Sequence, residues 1–522
     1  MAATPDPVGF WAWAHADPER IALVDPEGRN VTYGRLHARC NQLANALQEM
    51  GLKPGDGVAL FVSNRTEFYE IALAALQIGL FFTPINHYLA APEISYIVGD
   101  CQAKALFADM LYGDKVAASL ESSGLPSGRC FVIGGELPGC GVYEALLASG
   151  APTPPAARFS GESMIYTSGT TGKPKGVRVT LRSQSPEQGA AARVAMAPIL
   201  KWRSGDGVYL LNGPLHHSAP VSFSLQALHL GLTVIMTDHW DAEAVLQLIE
   251  KHRVTVSQMV PIHFHRFLKL PEEVRAKYDV SSLESVMHSA APCPTDEKRA
   301  MIAWWGPILY EMYGGTEGGA ALVDSEEWLR KPGTVGRPWP GTTIRIVDDD
   351  HREVPAGTVG TVYFSTVTGP PKYFNDAEKS RSVLLDDSTF FTLGEMGYVD
   401  DDGYLFLVDR KADLVLSGGV NIYPIEIEQV LSQHPKVYDA AVFGIPNAEW
   451  GEELKAVIQL VNGVQPSSAL TDELVAYCAD RLAKFKIPRS FDYVDELPRG
   501  PNGKLYKRQL RDVYWQGRDR KI

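Results

Sequence analysis

The sequence predicts an α/β protein with a large N-terminal region of parallel sheets, a barrel-like β section, and a small α+β region at the C-terminus. Three observations carry this reading. Helix-like and strand-like patterns alternate as far as Thr334, which implies parallel sheets covered by helices. From Thr334 the texture shifts to strands separated by turns. A charged break, Asp409-Arg410-Lys411-Ala412-Asp413, then follows a strand. At 522 residues the chain is too long for a single core. The expected division is residues 1–410 and 411–522.

The elements follow from local patterns. Tyr33–Met50 spaces Leu36, Cys40, Leu43 and Leu47 on one helical face, and Gly51 stops it. Gly57–Val62 reads as a strand, Glu67–Ile78 as a helix and Leu80–Pro84 as a strand. Glu162–Tyr166 and Gly176–Thr180 are short apolar strands around a loop. Ile344–Val347, Gly360–Ser365 and Tyr404–Val408 are the strands of the later section. Beyond the break, Ile425–Gln433 and Asp472–Lys484 read as helices, with Asp439–Phe443 and Ala456–Leu460 as strands.

Composition narrows the class. The net charge of −13 argues against nucleic acid as the main partner. The stretch Arg499–Ile522 runs against that balance, with eight Lys/Arg and two Asp, and reads as a solvated basic face. Six scattered cysteines without a Cys-x-x-Cys pair suggest free thiols in a reducing compartment. The N-terminus lacks the basic and apolar regions of a secretory signal. The apolar runs Ile71–Phe82 and Val221–Met236 are short or carry Gln77, Gln226 and His229, so no transmembrane segment is expected. A cytoplasmic protein, with a homodimer as one option, is the expectation.

The most informative stretch is Ile165-Tyr-Thr-Ser-Gly-Thr-Thr-Gly-Lys-Pro-Lys-Gly-Val177. Gly169 and Gly172 let consecutive N–H groups face one concavity, which suits an anion. Thr167, Ser168, Thr170 and Thr171 add hydroxyls, and Lys173 and Lys175 add charge, as a polyphosphate requires. Pro174 after Gly172-Lys173 excludes a Walker A loop. The string closely resembles the phosphate loop of the adenylate-forming superfamily, which holds acyl-CoA synthetases, nonribosomal peptide adenylation domains and firefly luciferase.

Five further segments match that superfamily in order, so the resemblance spans essentially the whole chain. Tyr313-Gly314-Gly315-Thr316-Glu317-Gly318 implies Thr316 on the α-phosphate and Glu317 on Mg²⁺, a hard cation suited to carboxylate and phosphate oxygens. Phe391-Thr392-Leu393-Gly394-Glu395 departs from the family's Gly-Asp, whose carboxylate binds the ribose of ATP. The extra methylene of Glu395 is expected to weaken one contact by on the order of 1 kcal/mol. Arg410 fits the family's nucleotide-contacting arginine, and Ala412 stands where its hinge usually carries Asp or Lys. Ser417-Gly418-Gly419 fits the loop that lines the path of coenzyme A in acyl-CoA synthetases. Lys504, in Leu497-Pro-Arg-Gly-Pro-Asn-Gly-Lys504, occupies the catalytic lysine position on a mobile C-terminal domain. A mobile ammonium placed there lowers the barrier to carboxylate attack on the α-phosphate.

Around the acid site, Pro214–Pro220 resembles the gate segment, with His217 as its histidine. Ala290, Ala291 and Pro292 resemble the adenine-side loop. The expected acyl pocket comprises His217, Ser218, Val221, Met259, His288 and Met312. It is apolar and offers no cation for a second carboxylate. Zinc-ligand spacing, a Gly-x-Ser-x-Gly elbow and Gly-x-Gly-x-x-Gly are absent. Residues 214–224 also lack the acid that an amino-acid adenylating module uses. The sequence therefore points to an acid–thiol ligase that uses ATP, Mg²⁺ and coenzyme A on a fatty or aryl monocarboxylic acid. Another acceptor, luciferase-like chemistry and a non-catalytic nucleotide-binding relative are the alternatives.

Overall fold

A computed structural model describes residues 7–167, 174–386, 388–417, 420–500 and 503–516. Two parallel sheets form the body. In one, six strands run in the order Gly141–Val142, Cys130–Ile133, Ala103–Asp109, Gly57–Phe61, Phe81–Pro84 and Glu162–Ser163. The other has nine strands, with Leu309–Gly315, Ser285–His288, Val256–Met259, Val208–Leu211, Thr233–Met236 and Ile21–Val24 as its parallel centre. Gly318–Asp324 turns back antiparallel on Leu309–Gly315.

The helices Tyr33–Glu49, Thr66–Gln77 and Ser218–His229 lie between the sheets, and their apolar residues share one core with both. Thr66–Gln77 is buried around nearly its whole circumference, as an inner layer requires. The outer face of the nine-stranded sheet packs on the helices Ala242–His252, Pro261–Lys269 and Thr295–Trp305. The expected helix at 33–50 and the β-α-β series at 57–84 are present, each within a residue or so of the predicted limits.

The section after Thr334 is a four-stranded antiparallel sheet of Thr343–Val347, Gly360–Ser365, Glu395–Val399 and Leu405–Arg410. Asp409 and Arg410 remain within its last strand, and the break follows as a short helical turn, Lys411–Asp413. The chain then forms a separate core around Val415, Ile427, Val437, Ala456 and Leu474. Its sheet pairs Val437–Asn447 with Gly451–Leu460, both longer than the sequence pattern suggested. The helix expected at 472–484 is displaced to Ser468–Ala479, because the Ser467 hydroxyl accepts from Leu470 N at 3.1 Å and fixes the start. Among the described residues no helix is long and apolar enough to cross a membrane.

Gly336 shows how tightly the antiparallel edge is packed. Its φ is +105°, and a Cβ there would lie 2.0 Å from the Leu322 carbonyl oxygen. Gly336→Ala is expected to destabilise the protein by at least about 2 kcal/mol, read from its denaturation midpoint. An unchanged midpoint would contradict the packing described here.

Candidate active site

The site is assembled at the turn between Leu309–Gly315 and Gly318–Asp324. Gly314 is required there: a Cβ would sit 2.6 Å from the Gly318 carbonyl oxygen. The tight return places half-buried Thr316 and Glu317 at the end of the sheet. Glu317 Oε1 accepts a 2.8 Å hydrogen bond from the Tyr373 hydroxyl. Burial, then the Glu317 charge, raises the Tyr373 hydroxyl well above the ordinary tyrosine pKa, so it stays a donor.

Glu395 is 8 % exposed and fully engaged. The Tyr313 hydroxyl donates to its Oε2 at 3.0 Å, and Arg410 Nε lies 3.3 Å from its Oε1. Arg410 is also its cross-strand partner. The longer side chain thus reaches partners on two elements, a use of the extra methylene that the motif alone does not reveal.

Lys504 joins this group from the C-terminal region. Burial lowers its ammonium pKa below the usual lysine value and Arg410 lowers it further, while Glu395, Asp413 and Glu317 oppose the shift. Gly503 before it has φ +73° and presses on the large region: a Cβ would lie 2.4 Å from Ile262 Cγ2. His217 stands at the start of the Ser218–His229 helix, its ring 4.3 Å from that of His216. Burial holds its pKa down to about 4, with smaller contributions from His87 and Lys504, so the ring is neutral at pH 7.

The remaining expected residues divide. Thr167 pairs with Lys175 across the two strands that flank the phosphate loop. Lys175 Nζ is 2.5 Å from Asp376 Oδ2, a partner distant in sequence. Ser168, Gly169, Thr170, Thr171, Gly172 and Lys173 lie outside the described residues, as do Gly418 and Gly419. Ser417 pairs with Val420 and Gly451. Ala290 adopts φ +75°, a strained backbone for a residue with a Cβ, beside half-exposed Ala291 and exposed Pro292.

The expected acyl pocket does not hold together as one wall. Val221 and Met312 pack on the inter-sheet core, and the Val221 amide donates to the His217 carbonyl at 3.2 Å. Met259 and His288 point to the opposite face of the nine-stranded sheet. There Met259 joins the core with Phe264, and the His288 ring meets Phe264 edge-on at 5.2 Å. His288 is fully buried beside the Lys298–Glu311 ion pair, which is 2.5 Å long. These two belong to the packing of the sheet against the helices Pro261–Lys269 and Thr295–Trp305.

Some residues had no sequence signal. Tyr373 and Asp376 meet their partners only through the fold. Beside Ser417, Trp450 is 38 % exposed with the Arg489 guanidinium 5.0 Å from its ring centroid, and Phe485 is 52 % exposed between Lys484 and Lys486. Exposed aromatics interleaved with cations were the available signal there.

Residues 10–374 match the family described as AMP-binding enzyme, and residues 426–504 match the AMP-binding enzyme C-terminal domain. The chain belongs to the adenylate-forming superfamily of AMP-binding enzymes. It is 33% identical over 505 residues to a fatty acid–[acyl-carrier-protein] ligase, ScoC, from Streptomyces coeruleorubidus, covering 95% of this chain and 94% of that protein. It is 33% identical over 514 residues to a feruloyl-CoA synthase from Amycolatopsis sp, covering 96% and 98%. The anthranilate CoA ligase AuaEII, solved with anthranoyl-AMP, superposes with a TM-score of 0.84 at 25% identity over 98% of each chain. The chain is thus an adenylate-forming acid ligase, and such an enzyme uses ATP.

Tyr313→Phe removes one of the two contacts to Glu395 and keeps the ring. It is expected to weaken MgATP binding about fivefold, the equivalent of about 1 kcal/mol, in a calorimetric titration. Unchanged affinity would separate Glu395 from nucleotide binding.

Proposed function

We propose that the protein is an acid–thiol ligase that activates a fatty or aryl monocarboxylic acid with ATP and passes the acyl group to coenzyme A. The observation that carries this reading is half-buried Lys504, whose charge is opposed by Arg410 and favoured by Glu395 and Glu317. In the first half-reaction the acid's carboxylate oxygen attacks the α-phosphorus of ATP. The bond to the bridging oxygen breaks, pyrophosphate leaves and acyl-AMP forms. Lys504 and Thr316 stabilise the charge that builds on the α-phosphate, with the 167–175 loop on the outer phosphates. Glu395 and Arg410 hold the ribose, Tyr313, Gly314, Gly315 and Ala290–Pro292 flank the base, and His217 borders the carboxylate.

Mg²⁺ suits this arrangement. Among the described residues no group of three His, Cys, Asp or Glu side chains surrounds a metal position. Glu317 would supply one oxygen, and the substrate phosphates and water the rest, which is how Mg²⁺ commonly binds. Bound there, it would offset phosphate charge.

In the second half-reaction the region after Arg410 acts as a mobile domain, 411–522, hinged at Lys411–Ala412. Its rotation withdraws Lys504 and brings Ser417–Gly419 to the site. The acceptor sulfur attacks the acyl carbon, AMP leaves and a thioester forms. Trp450, next to the Gly451 that pairs with Ser417, and Arg489 over its ring support coenzyme A as acceptor, since exposed rings and cations suit an adenine and its phosphates. Apolar Val221 one turn from neutral His217, with Met312 on the same core, supports an acid without a second charge. The likeness to ScoC is the ground for a second reading, a carrier-protein thiol as acceptor.

Pyrophosphate release from MgATP tests this across fatty, aryl and amino acids, with coenzyme A or with a phosphopantetheinylated carrier protein. Sustained turnover with one fatty or aryl acid, dependent on coenzyme A, is expected. Turnover dependent only on the carrier protein would replace the acceptor, and no release with any acid would overturn the reaction.

A further inference from the structure

We propose that Arg499 is the positioning residue of the loop carrying Lys504, and that it serves the adenylate-forming half-reaction alone; this rests on the role of Lys504 proposed above. The Arg499 guanidinium is shared between two partners. Its Nε and Nη2 donate to the two oxygens of Asp439 at 2.5 and 2.8 Å, a bidentate pair. Its Nη1 donates to the carbonyl of Gly503 at 2.7 Å, one residue before the lysine. Asp439 sits in the long strand Val437–Asn447, among the most extensively paired segments of the C-terminal core. The fork therefore ties the tip of the loop to a rigid strand.

The rest of the loop depends on that tie. Gly500 N donates to the Lys504 carbonyl, and Gly503 N to the Gly500 carbonyl, both at 2.8 Å. Tyr506 N closes the turn on the Pro498 carbonyl. These bonds hold Gly500, Gly503 and Lys504 together, with Gly503 resting on Ile262 of the large region. A shift of the apex would break charge-assisted bonds and separate Lys504 from Glu395 and Glu317.

Arg499 also faces the large region. Glu297 is among the acids that raise its basicity, and that carboxylate accepts from His265 Nδ1 at 2.6 Å. Tyr438, next to Asp439, meets the His265 ring edge-on at 5.3 Å, and Gln433 donates to Asp296 at 2.9 Å. These contacts join the C-terminal region to the large one. In the second half-reaction Lys504 is withdrawn, so the shape of its loop no longer bears on the chemistry. Lysine at position 499 has no planar fork and cannot hold both oxygens of Asp439 and the Gly503 carbonyl together.

Arg499→Gln, Arg499→Lys and Asp439→Asn in the full chain test the proposal. Pyrophosphate release is measured with the acid of highest turnover, and thioester formation with the matching synthetic acyl-AMP and coenzyme A. For Arg499→Gln, kcat for pyrophosphate release is expected to fall at least about 20-fold, since small misplacements of a reacting group cost rates of that order. Its KM for MgATP and its rate of thioester formation stay within about twofold of the native enzyme. Arg499→Lys lies between, and Asp439→Asn follows Arg499→Gln. Hydrogen–deuterium exchange over residues 498–506 rises in Arg499→Gln while the 451–460 strand is unchanged. An equal fall in both half-reactions, no fall in either, or unchanged loop exchange would overturn the proposal. If the native enzyme releases no pyrophosphate with any acid, the ligase reading fails, and the exchange result alone decides whether Arg499 holds the loop.

Discussion

A half-buried ammonium at Lys504 is the constraint on which the site depends. Burial and the neighbouring Arg410 both work against its charge, and the carboxylates of Glu395, Asp413 and Glu317 offset them. Those acids come from three separate segments, so the fold has to bring them together before the lysine can sit there. The turn at Gly314–Gly318 supplies Glu317, the antiparallel sheet supplies Glu395, and the short helical turn after it supplies Asp413. On the function proposed above, a nucleotide entering this site would meet a cation held ready by these groups, and preorganised charge of that kind accounts for much of enzymatic rate enhancement.

The same electrostatics links the two regions of the chain. Glu395 and Arg410 are neighbours across one strand pair at the end of the large region, and both act electrostatically on Lys504 of the small one. Asp409, one residue earlier, accepts from the Ile425 amide at the start of the helix Pro424–Ser432. Burial raises its pKa and nearby Lys507 lowers it. The strand that ends the large sheet is therefore also the support of the first helix beyond the break.

Much of this was legible in the sequence. The alternation up to Thr334 and the change of texture beyond it are local patterns, and both survive in the fold. The turn at Gly314–Gly315 has a local signature, whereas the roles expected of Thr316 and Glu317 came from the resemblance to the superfamily. Side-chain partners far apart in sequence were not readable. Nothing near Lys175 announces Asp376, and nothing near Glu317 announces Tyr373. The acyl pocket failed in part for a related reason. Strands at the centre of a parallel sheet are buried on both faces, so their apolar residues do not reveal which way each points. Met259 and His288 were assigned by position in the chain, and the fold turns them toward Phe264. The helix Ser468–Ala479 began earlier than its apolar spacing suggested because one serine hydroxyl decided the start.

The central claim is that Lys504 acts on the phosphate chemistry and then leaves. The most direct measurement compares the two half-reactions of Lys504→Ala under identical conditions, acyl-AMP formation from MgATP and thioester formation from supplied acyl-AMP. Loss of the first by at least about 100-fold, with the second close to native, is the predicted result. An equal loss in both, or an unimpaired first step, would contradict the account.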